Sequence, residues 1–371
     1  MTASDLSGST APRTRGRVER FDTIVVGGGQ AGLAAGYHLQ QRDVDFVIVD
    51  AEHRVGDPWR NRWDSLRLFT PAKHSGLPGM AFPSTPDHLP DKDEVADYLE
   101  RYAERFDLPV RSGVRAEHLA HDGERWTLRT SRGTLEANSV VVATGPFQRP
   151  MIPPVASRFD AGIVQIHSSS YRSPFDLPEG PVLVVGAGNS GAQIALELAR
   201  HRKVWLAGRD TGHLPRRFLG RDLFDWLWPL MRRFSLETRV GQRLRGRIRD
   251  GGDALIGIPE RTIVEAGVAR IGRVEEERSG WPVCDGVPLR PRAIVWCTGF
   301  IPDYSWIEAP VLDERGWPRH VRGVVADAPG LYFLGLRFQH RMTSALVGGV
   351  GADAEFVAAE VARRAELVMA D

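Results

Sequence analysis

The sequence predicts an α/β protein built from two βαβ units of the glycine-loop kind, the second inserted into the first. Three observations predict it. Gly27, Gly29 and Gly32 form a Gly-x-Gly-x-x-Gly run directly after an apolar stretch rich in β-branched residues and directly before an amphipathic one. Gly186, Gly188 and Gly191 repeat the run in the same setting. An apolar stretch running into Thr-Gly also occurs twice, Val140–Ala143 into Thr144-Gly145 and Ala293–Trp296 into Cys297-Thr298-Gly299.

In chain order, Asp22–Gly27 reads as a strand, Ala31–Gln41 as a helix, and Phe46–Val49 as a second strand ending at Asp50. Residues 51–90, rich in Pro, Gly, Trp and His, read as a long functional loop. Asp91–Phe106 has the period of an amphipathic helix, with Asp91 or Asp93 as its N-cap. Alternating runs at Val114–Ala120, Arg125–Thr130 and Gly133–Leu135 predict a small antiparallel sheet turning at Asp122-Gly123 and Arg132-Gly133. A separate strand follows at Val140–Ala143. The proline-bearing stretch Gln148–Pro154 reads as a linker, after which the pattern restarts: strand Val182–Val185, helix Ala192–Ala199, strand Val204–Ala207. Leu331–Leu334 and Gly351–Arg364 read as a closing strand and helix. The expected fold is thus two Rossmann-like dinucleotide-binding domains. Residues 21–150 and 300–371 form the first, 151–299 form the inserted second, and residues 1–20 form a disordered tail.

Bulk properties narrow the function. The chain has 371 residues, enough for two cores, and a net charge of +1, so nothing global points to nucleic acid or an anionic membrane. A local crowd of arginines (Arg216, Arg217, Arg221, Arg232, Arg233, Arg239, Arg243, Arg245, Arg247, Arg249) reads either as a solvated face or as a positive rim attracting a phosphorylated cofactor. The two cysteines, Cys284 and Cys297, form no Cys-x-x-Cys pair, which excludes a disulfide framework, a thiol zinc site and a redox dithiol. No apolar run reaches the roughly 20 residues that span a bilayer, and the start lacks a signal-peptide core. A cytoplasmic compartment is expected, with a small-molecule substrate and no metal. A homodimer is one assembly open to the chain.

The glycines carry the chemistry. In such a loop the first permits a tight turn, the second lets a pyrophosphate approach the backbone, and the third lets helix and strand pack closely. Helix N-terminal amides and the helix dipole then hold the phosphates. The residue ending each second strand selects the nucleotide. Counted equally from the first glycine, Asp50 and Arg209 are equivalent. An acid suits ribose hydroxyls, so the first unit fits FAD or NAD; a fixed cation suits a 2′-phosphate, so the second fits NADP(H). Two dinucleotides in one chain imply hydride transfer between them, with oxygen or a small organic acceptor as the outlet.

On these motifs the chain resembles the class B flavin-dependent monooxygenases, in the flavin-containing monooxygenase branch that includes the plant auxin-forming enzymes and bacterial relatives. The resemblance runs from about residue 22 to 364. Gly27–Gly32 with Asp50 resembles the family's FAD fingerprint, and Gly186–Gly191 its NADPH loop. Gly56-Asp57-Pro58-Trp59-Arg60 and Trp63-Asp64-Ser65-Leu66-Arg67-Leu68 resemble its segments beside the flavin. Thr298-Gly299-Phe300 is similar to the late Thr-Gly-aromatic motif, and Gly349–Ala354 to the helix that closes the flavin site. The family motif Phe-x-Gly-x-x-x-His-x-x-x-Tyr/Phe is matched at His167 and Tyr171, while Phe159 and Gly162 lie further back than the pattern allows. Tyr171, where Trp would stand, argues against the Baeyer–Villiger branch. An Asn that some members place near the flavin is missing from Leu68–Gly76.

The resemblance implies FAD and NADPH as cofactors and a flavin C4a-hydroperoxide as the reactive group. One oxygen atom of O2 would enter an amine, thioether, indole or 2-oxo acid. Baeyer–Villiger oxidation, an NADPH oxidase and a non-catalytic flavoprotein are the rivals. The FAD set is Gly27, Gly29, Gln30, Ala31, Gly32, Asp50, Trp59, Arg60, Trp63, Leu66, Val114, Ala143, Thr144, Gly145, Gln339 and Thr343. The NADPH set is Gly186, Gly188, Asn189, Ser190, Gly191, Arg209, Cys297, Thr298 and Gly299. No obligatory catalytic side chain is implied beyond the motif residues His167 and Tyr171. Trp226 and Trp228 read as core or as the rim of a substrate entrance.

Overall fold

The first sheet grows from a run of buried β-branched residues. In the computed structural model, which describes residues 18–243 and 254–370, β1 (Glu19–Val26) buries Ile24, Val25 and Val26 at its C-terminal end. Residues 1–17 of the expected tail lie outside the described residues, and Glu19 and Arg20 already belong to β1. α1 (Gln30–Gln40) follows, then β2 (Phe46–Asp50), α2 (Lys92–Arg105), β3 (Val110–Ser112), β4 (Ala116–His121), β5 (Trp126–Thr130) and β6 (Gly133–Val142). Asp91, not Asp93, caps α2: its carboxylate accepts from the amides of Asp93 (3.1 Å) and Glu94 (2.9 Å), and Glu94 reaches back to the Asp91 amide at 2.8 Å.

The sheet order is β3-β2-β1-β6-β5-β4, with one late strand added on β6. Gly133–Leu135 and Val140–Ala143 are not two strands. Gly133–Leu135 and Val140–Val142 belong to one ten-residue strand, because β1 pairs along it from Glu19↔Leu135 to Val26↔Val142. The outer edge of β6 is shared. Its first half pairs antiparallel with β5, and Val140–Val142 pair in parallel with the late strand at Leu331–Phe333.

The chain then passes through β7 (Arg149–Pro150) into a second sheet. Its elements are β8 (Val164–His167), β9 (Val182–Val185), α3 (Asn189–Leu198), β10 (Val204–Ala207), α4 (Leu223–Arg233), β11 (Ala269–Ile271) and β12 (Ala293–Trp296). The order β11-β10-β9-β12-β8 is wholly parallel and matches the parallel part of the first sheet strand for strand. The chain returns through β13 (Phe300–Ile301), which pairs antiparallel with β7, then adds β14 (Leu331–Phe333) and α5 (Gly351–Ala370). α5 packs Val357, Ala358 and Val361 in one core with Leu33, Ala34 and Leu39 of α1. No helix among the described residues is long and apolar enough to cross a membrane.

Between β10 and β11 the chain makes an excursion onto the first unit. Phe224 of α4 stacks on Phe69 (6.1 Å), Trp228 stacks on His74 (4.7 Å), and Asp225 pairs with Lys73 at 2.6 Å. Trp228 is therefore core, while Trp226 is exposed. Residues 244–253, with Arg245, Arg247 and Arg249, lie outside the described residues.

Candidate active site

The two glycine loops are near-copies in three dimensions. Gly27 has φ +112° and Gly186 φ +110°, a left-handed conformation that a side chain disfavours. A Cβ at Gly27 would strike the carbonyl of Ala143, and one at Gly186 the carbonyl of Cys297. At the third position, a Cβ on Gly32 or Gly191 would collide with the carbonyl of Gly27 or Gly186, so helix and turn can touch only through glycine. The second glycines differ in purpose. Gly29 and Gly188 face open space, with nothing within 4 Å of a would-be Cβ. Both cap their helices at φ −79°, ψ −172° with no side-chain cap, which leaves first-turn amides free for an anion. These are cradles that fit a dinucleotide pyrophosphate.

The backbone ladder corrects the count from the glycines. Gly27 donates to the Val49 carbonyl and Gly186 to the Ala207 carbonyl, each at 2.8 Å. Val49 therefore matches Ala207, and Asp50 matches Gly208 rather than Arg209. The second loop-and-strand path is one residue shorter. Arg209 stands one place beyond, exposed, at the end of β10. The second unit thus lacks a carboxylate at the ribose position and has a cation next to it.

Asp50 accepts the Gly28 amide through Oδ2 and the Glu52 amide through Oδ1 at 2.7 Å. Burial raises its pKa above the ordinary carboxylate value, and those two amides oppose the rise. Burial, and next the neighbouring Asp50, raises Glu52 as well. Both carboxylates are poised to accept from hydroxyl donors.

One cavity of about 770 Å³ joins the first cradle to the first turn of α3 in the second, at Asn189 and Ser190; Gly186, Gly188, Gly191 and Arg209 do not line it. Of the expected residues, Gly27, Gly29, Gln30, Ala31, Asp50, Trp59, Trp63, Leu66, Val114, Ala143, Thr144 and Gly145 line it from the first unit, and Asn189 and Ser190 from the second. The Trp63 Nε1 is buried and has no hydrogen-bond partner among the described residues.

Other expected residues are placed differently. Arg60 turns away from the cavity into an acidic cluster, within 3.3 Å of Asp57 and 3.1 Å of Asp97 and Glu100. Its near neighbour Arg62 lines the cavity instead. Gln339 and Thr343 are buried behind the wall, where Gln339 holds the carbonyl of Phe333 at 3.0 Å. Asn189 spends its side chain on Ile256 (2.9 Å) and Ala254 (3.1 Å), tying down the returning excursion. Tyr171 lies wholly in the core of the second unit, its hydroxyl donating to Glu197 at 2.7 Å. Gly162 belongs to a turn pinned by Asp160, at 2.7 Å, with no link to the cavity. Cys297, Thr298 and Gly299 sit at the crossing between the sheets rather than in the cavity wall.

His167 does have a place in that crossing. Its Nδ1 accepts from the Ser169 amide at 3.1 Å, and its Nε2 donates to the Gly299 carbonyl at 2.9 Å. Burial, and then the Arg62 charge, lowers its pKa, outweighing the bond to Gly299. The neutral ring therefore fixes the return strand edge-on to Phe300 at 4.8 Å.

Residues missed at the sequence level cluster at the same point. Arg62 lies over the rings of Phe147 (5.7 Å) and Phe300 (5.3 Å), with no acidic partner among the described residues. Burial, and next Arg172, lowers its pKa. Phe147 and Phe300 both follow the duplicated Thr-Gly pairs, a signal that could have found them. Gln193 bonds the Arg67 backbone in both directions (3.0 and 3.2 Å), locking α3 to the loop that carries Trp63 and Leu66.

Two matched dinucleotide cradles joined by one cavity define an oxidoreductase of the paired-nucleotide class. The chain belongs to the pyridine nucleotide-disulphide oxidoreductase family, whose model matches residues 24–335. It is 45% identical to an oxidoreductase named CzcO-like from Geobacillus kaustophilus, over 91% of this chain and 97% of that one. It is 34% identical to the indole-3-pyruvate monooxygenase YUCCA1 of Oryza sativa over 56% of this chain and 53% of that one. A solved flavin monooxygenase from Stenotrophomonas maltophilia, a double mutant, superimposes with a TM-score of 0.77 at 26% identity, covering 94% of this chain and all of that chain. These likenesses make the chain similar to class B flavin monooxygenases.

Proposed function

We propose that the protein is an NADPH-dependent flavoprotein monooxygenase that transfers one oxygen atom of O2 to a small organic substrate. One observation carries the reading: one cavity joins the two cradles and no thiol enters it. Cys284 is buried in the second unit and Cys297 lies behind Gly186. Burial pushes the Cys297 thiol up to about 12 and, with Asp285 and Glu275 beside it, the Cys284 thiol up to about 11. Neither is a thiolate at neutral pH, so electrons have no dithiol to reach.

Residues 21–150 and 300–371 hold FAD and residues 151–299 hold NADPH in this reading. Gly29, Gln30 and Ala31 meet the FAD pyrophosphate and Asp50 its ribose. Trp59, Trp63 and Leu66 flank the ring system. Gly188 and Ser190 meet the NADPH pyrophosphate, and Arg209 its 2′-phosphate. Bound FAD supplies hydride acceptance and oxygen activation. The chain supplies placement: Gln193 and His167 fix the second unit against the first, and Phe147 and Phe300 hold Arg62 at the crossing. Unpaired thiols also fit the reducing cytoplasm expected from the sequence.

Turnover with NADPH under labelled oxygen, across a panel of amines, thioethers, indoles and 2-oxo acids, tests the reading. The expected result is one labelled atom in a product at the expense of one NADPH. Recovery of all consumed oxygen as hydrogen peroxide, with every substrate, identifies an oxidase and refutes it.

A further inference from the structure

The excursion between β10 and β11 carries an outward face that the proposed chemistry does not use. Arg217–Phe218 and Arg221–Asp222 pair as a tight hairpin. Its tip is Leu219-Gly220, both at positive φ (+48° and +76°). A leucine in that backbone region is disfavoured, yet Leu219 is 76% exposed and Phe218 beside it 52%. The hairpin is joined to α4: the Trp226 indole donates to the Phe218 carbonyl at 3.2 Å, and the Arg221 guanidinium lies over the Trp226 ring at 5.8 Å.

α4 itself has two apolar sides. Leu223, Phe224 and Trp228 are buried against the first unit. Trp226, Pro229, Leu230 and Arg233 are exposed at spacings of three, four and seven residues, which is one outward stripe. Around this ridge stand exposed Arg217, Arg221, Arg232, Arg233 and Arg239. The acids of the same stretch have partners of their own: Asp222 pairs with Arg216, Asp225 with Lys73, and Glu237 lies 3.9 Å from Arg322.

We infer that this hairpin-and-helix face docks on the surface of an anionic lipid bilayer, with Leu219, Phe218, Trp226 and Leu230 entering the headgroup–acyl boundary and the arginines meeting lipid phosphates. Charge complementarity selects that occupant. A second copy of the same face would set arginine against arginine. A bilayer offers apolar depth to the ridge and negative charge to its rim together, the combination that holds interfacial amphipathic helices. The first and last exposed positions of the ridge lie on one continuous excursion, so docking requires no opening of the core.

Flotation of the flavin-loaded, full-length protein with vesicles tests this. The comparison is pure phosphatidylcholine against phosphatidylcholine and phosphatidylglycerol mixed two to one. Binding to the mixed vesicles alone is expected, lost at about 1 M salt where charges are screened within roughly 3 Å. Reversing three arginines together (Arg217→Glu, Arg221→Glu, Arg233→Glu) should weaken the partition about a hundredfold. Leu219→Ser with Leu230→Ser should weaken it at least tenfold or so. Both variants should keep their flavin and their rate of NADPH oxidation. No flotation, equal flotation on neutral vesicles, or unchanged binding by either variant overturns the proposal. So does a wild-type dimer that Leu219→Ser with Leu230→Ser dissociates while vesicles are ignored, which makes the face a self-interface.

Discussion

At the scale of single residues, the proposed reading rests on the contrast between Asp50 in the first cradle and Gly208 with Arg209 in the second, which would select the nucleotide that each takes. A carboxylate at the Gly208 position would repel a 2′-phosphate, and the guanidinium one residue on would attract it. Arg209→Ala is expected to raise the KM for NADPH roughly tenfold to a hundredfold, the range for one charge-assisted contact, and to leave that for NADH nearly unchanged. Steady-state rates with both coenzymes check it; an equal change in the two would dismiss the residue's role. The sequence showed the chemistry of this pair but not its register, because one residue fewer between the Gly186 turn and β10 shifts every later count. A similar limit separates Arg60 from Arg62. Both flank Trp59 and Trp63 where a single helical turn, Asp57–Arg60, ends, too short for any periodicity to fix side-chain directions. Only packing shows Arg60 drawn to Asp97 and Glu100 while Arg62 enters the cavity.

At the scale of elements, the glycine turns were legible because sterics leave them no alternative. Gly32→Ala and Gly191→Ala place a methyl against a carbonyl that belongs to the same turn, so each should disable its own cradle. We expect Gly32→Ala to purify without flavin. Gly191→Ala should keep its flavin but lose reduction by NADPH, followed as bleaching of the flavin absorbance. The opposite pattern would reverse the assignment of the two units. The cap of α2 is a second check: Asp91→Ala removes two amide contacts and should cost about 1 kcal/mol of stability by denaturant unfolding. β8 escaped the sequence reading for a different reason. Val164–His167 offers only its histidine as a signal, because a four-residue strand of which one residue is buried has no pattern of its own. Its pairing with β12, Val164↔Ala293 through His167↔Trp296, is what identifies it.

At the scale of the whole molecule, acidity acts through several buried and part-buried rings at once. His38, His74, His167 and His340 all have pKa values lowered from 6.5, first by burial. The folded state therefore prefers them neutral. Their contribution is present above pH 6.5 and is lost as the pH falls through the lowered values. Asp50, Glu52 and Asp353 are raised and work in the reverse sense, contributing below the carboxylate range and losing that as the pH rises through their folded values. The holoprotein should melt at lower temperature at about pH 5.5 than at about pH 8, and His167→Asn should show a smaller drop. Equal drops in the two proteins would remove His167 from the account.

The shared outer edge of β6 also sets an order of events in synthesis. β5 is made just before β6 and can pair with its first half at once, but Val140–Val142 must wait for β14, on the far side of the entire inserted unit. Until α5 emerges, the face of α1 that carries Leu33 and Ala34 is also bare. The inserted sheet, whose strands and helix all lie between the two crossings, can close on the ribosome first, while the outer unit stays an open-edged intermediate in need of shielding. Its long-range closure is the step expected to be slow.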